Sequence, residues 1–157
     1  RMTHTITRLG PSAAAEMAEI MRRAYLATPH TGGRPWEHKQ LSDQLAQEMS
    51  YALGITNTDT GALTAFVLYQ QIIDEAEILI LAVDPTVQRQ GNGQRLMDAV
   101  LAQLEEQGCR NLFLEVACNN EPAINLYVKF GLRVTGERRG YYQGLDALVM
   151  GKSLNST

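Results

Sequence analysis

The sequence predicts an α+β fold, a mixed β-sheet covered by helices. Two observations carry this expectation. Strand-like and helix-like segments follow one another in the order β-α-α-β-β-β-α-β-α-β-β, with strands first in series and then alternating with helices. In addition, Ile78-Leu79-Ile80-Leu81-Ala82-Val83 is a nearly continuous apolar run, which predicts a central strand buried on both faces.

Each element has its own signal. Thr3 to Leu9 alternates and reads as a strand. Ser12 stands where a helix N-cap would, ahead of Met17, Ile20, Met21 and Ala24 at helical spacing. The breaker-rich Thr28-Pro29-His30-Thr31-Gly32-Gly33-Arg34-Pro35 predicts a loop, and a second helix is expected from Trp36 to Gln47. Tyr51 to Thr56 and Ala62 to Gln71 read as strands joined by the turn Asn57-Thr58-Asp59-Thr60-Gly61. The strand Ala76 to Val83 ends at Asp84-Pro85. The helix after it carries Leu96, Met97, Val100, Leu101 and Leu104 on one face and is closed by Gly108. Asn111 to Ala117 is the next strand. Asn120-Glu121-Pro122 then opens a helix that carries Ile124, Tyr127 and Val128 and ends at Gly131. Strands over Arg133 to Arg138 and Leu145 to Lys152 flank the turn Gly140-Tyr141-Tyr142-Gln143-Gly144.

The chain has 157 residues, 45% hydrophobic and 20% charged, which predicts one folded domain over residues 1–157. A net charge of -3 argues against a nucleic-acid-binding module, which would carry a basic stripe. Arg1-Met2-Thr3-His4 has no apolar run behind it, so no signal peptide is expected, and no stretch predicts a membrane span. Two cysteines, Cys109 and Cys118, are too few for a disulfide framework and point to a reducing, cytoplasmic setting.

Three places carry chemistry. The loop Gln88-Arg89-Gln90-Gly91-Asn92-Gly93 lies between a strand and an amphipathic helix. Its glycines let backbone N–H groups close on an anion, the helix start adds its positive dipole end, and Arg89 and Arg95 can add charge. A dinucleotide fingerprint would need Gly at position 96, where Leu96 stands, and a P-loop would need Gly-Lys-Ser/Thr, which is absent. The loop therefore reads either as a plain turn or as a phosphate cradle for a different nucleotide cofactor. Glu115, inside Leu112-Phe113-Leu114-Glu115-Val116, is either an outward position on a half-exposed strand or a buried general base. Tyr127 is either core packing or a proton donor. His4, His30 and His38 show no ligand spacing, so no metal is expected. Cys118 reads as a structural thiol, Trp36 as an anchor for the second helix more than a cleft wall, and Tyr141 and Tyr142 as a binding rim.

Taken together these residues resemble a known family. Ala82-Val83-Asp84-Pro85 followed by Gln88 to Gly93 is similar to the acetyl-CoA signature Q/R-x-x-G-x-G/A of the GNAT superfamily. Five further pieces narrow the likeness: Leu114-Glu115-Val116, Asn119 to Tyr127, Phe130-Gly131, Arg138-Arg139-Gly140-Tyr141-Tyr142, and Asp146 to Met150. Together they resemble the RimI-type ribosomal-protein N-terminal alanine acetyltransferases.

The resemblance implies the GNAT fold. This is a mostly antiparallel seven-stranded sheet whose central parallel pair splays apart to admit the pantetheine arm of acetyl-CoA, with helices on both faces. By the same likeness, Leu81, Ala82 and Val83 would pair with the pantetheine amides. Arg89, Gln90, Gly91, Asn92, Gly93 and Gln94 would hold the pyrophosphate, and Asn120 would contact the cofactor arm. Glu115 would be the general base and Tyr127 the general acid, and the Val83 N–H could stabilise the oxyanion. The implied acceptor is a protein N-terminus, with ribosomal protein bS18 as first choice. Another amine, on a lysine side chain or a small metabolite, and a CoA-binding module without turnover are the rival readings. The chain departs from the family in having Ala117 where Arg is common and Leu132 where Phe is common.

Overall fold

The periodic segments form the elements they predict, with one correction late in the chain: the strand expected to end at Arg138 runs on to Tyr142, so Gly140, Tyr141 and Tyr142 are strand and not turn. The computed structural model of the chain describes residues 4–29, 33–142 and 144–154; Thr3, His30-Thr31-Gly32 and Gln143, named above, lie outside them. The elements are β1 (His4–Leu9), α1 (Ala14–Ala27), α2 (His38–Leu45), β2 (Ser50–Asn57), β3 (Leu63–Ile72), β4 (Glu75–Val83), α3 (Asn92–Glu106), β5 (Asn111–Ala117), α4 (Glu121–Lys129), β6 (Arg133–Tyr142) and β7 (Leu145–Ser153). The strands make one seven-stranded sheet in the order β1-β2-β3-β4-β5-β7-β6. Only β4 and β5 pair in parallel; the other neighbours are antiparallel. A helix between β4 and β5 makes this possible, because a parallel pair needs a long crossover.

Each face of the sheet has its own core. Ala65, Val67 and Tyr69 of β3 pack toward Leu96, Met97, Val100 and Leu104 of α3. The intervening Phe66 and Leu68 pack toward Met17 and Ile20 of α1 and Leu41 and Leu45 of α2. β3 is thus buried on both faces from Leu63 to Tyr69. That burial was expected of β4, which instead alternates between buried and half-exposed residues. The reason lies in its partner. The β4–β5 ladder stops at Ile78↔Leu114, so the second half of β4 borders an opening.

A bulge re-aims β4 at the same place. Leu68 pairs with Ile80 but Tyr69 pairs with Ile78, which leaves Leu79 as an extra residue. Ile78 belongs to the core under α3, Leu79 and Ile80 to the core under α1 and α2, and Leu81 again to the first.

Two helix ends are closed by glycine, as predicted. Gly108 (φ 74°) and Gly131 (φ 92°) are left-handed. The Cys109 N–H bonds to the Leu104 carbonyl at 2.9 Å and the Leu132 N–H to the Tyr127 carbonyl at 3.0 Å, the six-to-one bond of a Schellman cap. Two helix starts differ from expectation. Ser12 lies in a 3-10 turn, Pro11–Ala13, and α1 begins after Ala13 without a side-chain cap. Trp36 precedes α2, whose N-cap is Glu37 in a capping box with Gln40.

Candidate functional site

Where β4 and β5 part beyond Ile78↔Leu114, a cleft of about 250 Å³ opens. β4 contributes Ile78 to Leu81 to its wall and β5 contributes Leu114 to Ala117; Asn120 and Tyr127 line it as well. Leu81-Ala82-Val83 pairs with β3 on one edge; on the edge that faces this gap it has no strand partner among the described residues, because the β4–β5 ladder has ended at Ile78↔Leu114. Backbone groups on the open edge are therefore available to an extended ligand.

Glu115 and Tyr127 reach the cleft from opposite faces of the sheet. Leu112, Leu114 and Val116 belong to the core under α3, so strand alternation turns Phe113 and Glu115 to the other face. Tyr127, 6% exposed, packs within the α3-side core. Its carbonyl accepts from the Leu132 N–H across the Gly131 cap, which holds its backbone in place. The Glu115 side chain is 17% exposed and takes a hydrogen bond from Arg138: Nε donates to Oε2 at 2.8 Å. Arg138 comes from β6, two strands away, and its guanidinium also lies over the Tyr141 ring, 4.9 Å from the centroid. Asn120 is the N-cap of α4, its Oδ1 accepting from the Ala123 N–H at 3.4 Å.

The glycine-containing loop sits at the far end of β4. Gly91 is left-handed (φ 79°, ψ 14°) and forms the N-cap of α3. Arg89 is also left-handed (φ 65°), an uncommon conformation for a residue with Cβ. The first helical bond runs from the Arg95 N–H to the Gly91 carbonyl at 3.0 Å. The amides of Asn92, Gly93 and Gln94 lie ahead of it, where helix geometry supplies no acceptor. Asn92, only 2% exposed, turns inward: Nδ2 donates to the Val87 carbonyl at 3.2 Å and Oδ1 accepts from Arg95 Nη1 at 2.7 Å. Its side chain thus ties the loop to the first turn of α3. A Cβ on Gly93 would meet Leu126 Cδ2 at 3.1 Å, so a glycine here lets α3 approach α4 closely. Arg23 of α1 braces the entrance to the loop through Asp84, Nη2 to Oδ2 at 2.6 Å. Asp84 also accepts from the Thr86 N–H and hydroxyl at 3.0 and 2.9 Å.

The structure therefore brings Leu81, Glu115, Asn120 and Tyr127 to one cleft and sets residues 89–94 at a helix start beyond it. Ala82 points away, into the core under α1. Arg138 was missed as a partner of Glu115, although it stands in the recognised Arg-Arg-Gly-Tyr-Tyr run. Trp36 does more than anchor α2: it packs on the α1-side core and lines the cleft with Met21 and Arg34. A larger groove of about 610 Å³ runs outside α1, and Arg34 and Trp36 line both spaces. Cys118, read as a structural thiol, is exposed, whereas Cys109 is buried. Among the described residues no group of three or more His, Cys, Asp and Glu is placed to hold a metal, and no helix is long and apolar enough to cross a membrane.

The comparisons with known proteins agree with this geometry. The family model "Acetyltransferase (GNAT) family" matches residues 14–132. The [ribosomal protein bS18]-alanine N-acetyltransferase of Escherichia coli (strain K12) is 37% identical over 113 residues, 71% of this chain and 74% of that protein. Its counterpart from Salmonella typhimurium is 35% identical over 120 residues, 74% of this chain and 79% of that protein. Among solved structures, the ribosomal-protein-S18-alanine N-acetyltransferase from Escherichia coli superimposes with a TM-score of 0.86 at 30% identity, covering 98% of this chain and 96% of that one. Ard1 from Thermoplasma volcanium superimposes with a TM-score of 0.83 at 26% identity, covering 99% and 100%. A mostly antiparallel sheet split at its parallel pair, a left-handed glycine at a helix start beyond the split, and these likenesses lead to one conclusion: the chain belongs to the GNAT acetyltransferase family, and acetyl-CoA is the acetyl donor of its reaction.

Proposed function

We propose that this enzyme transfers acetyl from acetyl-CoA to the α-amine of a protein N-terminus, namely the N-terminal alanine of ribosomal protein bS18. One observation carries the chemistry: Glu115 and Tyr127 line the same strand split from opposite faces of the sheet. The relatives named for bS18-alanine acetylation, at 37% and 35% identity, support the choice of acceptor.

In this reading the donor lies along the open edge of β4. Backbone groups of Leu81, Ala82 and Val83 hold its amide-bearing arm, and the Asn120 side chain contacts the same arm. The amides of Arg89, Gln90, Gly91, Asn92, Gly93 and Gln94 bind its phosphates at the positive end of α3. The acceptor enters from the face that carries Glu115, past Arg34 and Trp36.

Only a neutral amine attacks a thioester. A protein α-amine has a pKa of about 8, against about 10.4 for lysine, so a carboxylate can deprotonate it near neutral pH. Glu115 removes that proton, directly or through water. The Val83 N–H stabilises charge on the carbonyl oxygen. Tyr127, on the opposite face, returns a proton to the departing thiolate. Holding both reactants in one cleft supplies much of the rate. A ribosomal-protein acceptor places the enzyme in the cytoplasm.

A peptide panel tests the reading. Peptides beginning with Ala, Ser, Met or Gly are compared with an N-blocked lysine peptide by release of free CoA. The Ala peptide should be the best substrate. Preference for the blocked lysine peptide would overturn the N-terminal assignment.

A further inference from the structure

Glu115 is not the only carboxylate on the acceptor face of the split. In the parallel ladder Glu77 pairs with Phe113, and Ile78 with Leu114. Ala76 and Ile78 turn into the core under α3, as do Leu112 and Leu114. Glu77, Phe113 and Glu115 therefore share the opposite face, with Glu77 diagonal to Glu115 across two neighbouring strands. Glu77 stands one residue before Ile78, where the cleft begins.

A chain of neutral amides holds Glu77. Gln44 of α2 donates through Nε2 to Ser50 Oγ at 2.6 Å and to Gln70 Oε1 at 3.4 Å. With its oxygen engaged, Gln70 presents its Nε2, which donates to Glu77 Oε1 at 3.1 Å. The chain orients the carboxylate without bringing it a positive charge. Arg138 acts on both carboxylates: it donates to Glu115 and its charge reaches Glu77. Two carboxylates thus lie within the influence of this guanidinium, on the face that the acceptor is proposed to enter. Burial pushes the Glu77 carboxyl above its ordinary value; the Gln70 hydrogen bond opposes this, the charge of Glu115 adds to it, and Arg138 opposes it. Such a group gains from any cation that enters beside it.

We propose that Glu77 is an acceptor-recognition residue: together with Glu115 it forms a paired-carboxylate seat, held by Gln70 and Arg138, for the α-ammonium group of the incoming N-terminus. The acceptor arrives mostly protonated at neutral pH, so the seat binds the ammonium form and Glu115 then takes its proton. This inference rests on the proposed reaction and adds a second contact to it. It also gives the enzyme a means of rejecting acceptors whose N-terminal amine is already blocked.

The test uses Glu77→Gln in the full chain, a substitution that keeps the shape and the approach of Gln70. The KM for an Ala-first peptide should rise about fivefold to tenfold, the size of one screened charge contact, while the KM for acetyl-CoA stays unchanged. Binding of a des-amino peptide, with hydrogen in place of the amine, is measured alongside by calorimetry in the presence of CoA. Glu77→Gln should leave that affinity unchanged. Equal weakening of both peptides would assign Glu77 a purely structural role and overturn the proposal, as would an unchanged acceptor KM. Glu115→Gln, assayed in parallel, separates the two levels: full turnover in that variant refutes the underlying reaction, whereas loss of turnover there with no effect at Glu77 refutes the recognition role alone.

Discussion

Gly91→Ala tests whether the loop that leads into α3 is rigid. Gly91 holds φ 79° and ψ 14°, and a Cβ built there meets no heavy atom within 4 Å. The substitution therefore costs torsional strain without a clash, about 1–2 kcal/mol for a left-handed residue with Cβ. The unfolded chain loses freedom with Ala, which returns about 0.4–1 kcal/mol. The net loss is about 0–1.6 kcal/mol, with a midpoint of ~0.8 kcal/mol, a fall in Tm of up to about 6 °C for a chain of this size. Whether function also suffers depends on which gives way, the torsion or the loop. Asn92 is buried and bonded at both ends of its side chain, to Val87 and Arg95. The loop should therefore bear the strain in place, and the KM for acetyl-CoA should stay within about threefold of wild type, less than 1 kcal/mol of binding. Asn92→Ala is the opposite case: it releases the clamp, and the KM should rise about tenfold, the loss of roughly one hydrogen-bonded restraint. Thermal melts and initial rates across acetyl-CoA concentrations measure both. An unchanged Tm in Gly91→Ala together with a raised KM would refute the rigid-loop reasoning.

Three further outcomes are expected. Tyr127→Phe preserves the packing of a side chain that is 6% exposed; kcat should fall by about 100-fold or more with the acetyl-CoA KM unchanged, and full turnover in a CoA-release assay would remove the proton-donor role. For Asp84, burial works against the charged form, but the Thr86 amide and hydroxyl and the Arg23 guanidinium outweigh it and hold the carboxyl below its ordinary value. Its contribution is complete above the unfolded value near 4 and is lost as pH falls through the lower folded value, so urea melts should show Asp84→Asn destabilised by about 1–2 kcal/mol equally at pH 7 and pH 5, with the gap narrowing only below about pH 4. Leu114→Ala empties a position 1% exposed at the last rung before the split; urea unfolding should show a loss of about 2–5 kcal/mol, and a smaller loss would mean the strand end closes over the gap.

Much of the fold was legible because hydrophobic period and glycine punctuation are local properties. Gly108 and Gly131 announced the ends of α3 and α4, and both are left-handed caps. What misled was also local. Pro11 starts a 3-10 turn that displaces Ser12 from the cap position, and Glu37 is an unusual N-cap that takes its strength from Gln40. The apolar run of β4 pointed to burial on both faces because sequence cannot show a neighbour leaving; the departure of β5 past Leu114 half-exposes Leu79, Leu81 and Val83. At the site, Glu115 and Tyr127 stood out through motif and setting. Arg138 and Glu77 did not, since each matters through strand order. Arg138 reaches Glu115 only because β7 lies between β5 and β6, with Val149 beside Glu115 and Ala147 beside Arg138. Trp36 reaches the cleft from a segment whose course no periodicity describes.

The parting of β4 and β5 also bears on solubility. A strand edge with unsatisfied amides is an invitation to other chains, and most proteins keep such edges short, charged or covered. Here the open edge of Leu81, Ala82 and Val83 lies in the interior of the sheet, with β5 and α4 forming the far side of the slot. Another strand would have to come between β4 and β5 to pair with it. The same gap that ends the β4–β5 ladder at Ile78↔Leu114 thereby keeps its unpaired edge inside the sheet, away from the outer strands where a foreign chain would add.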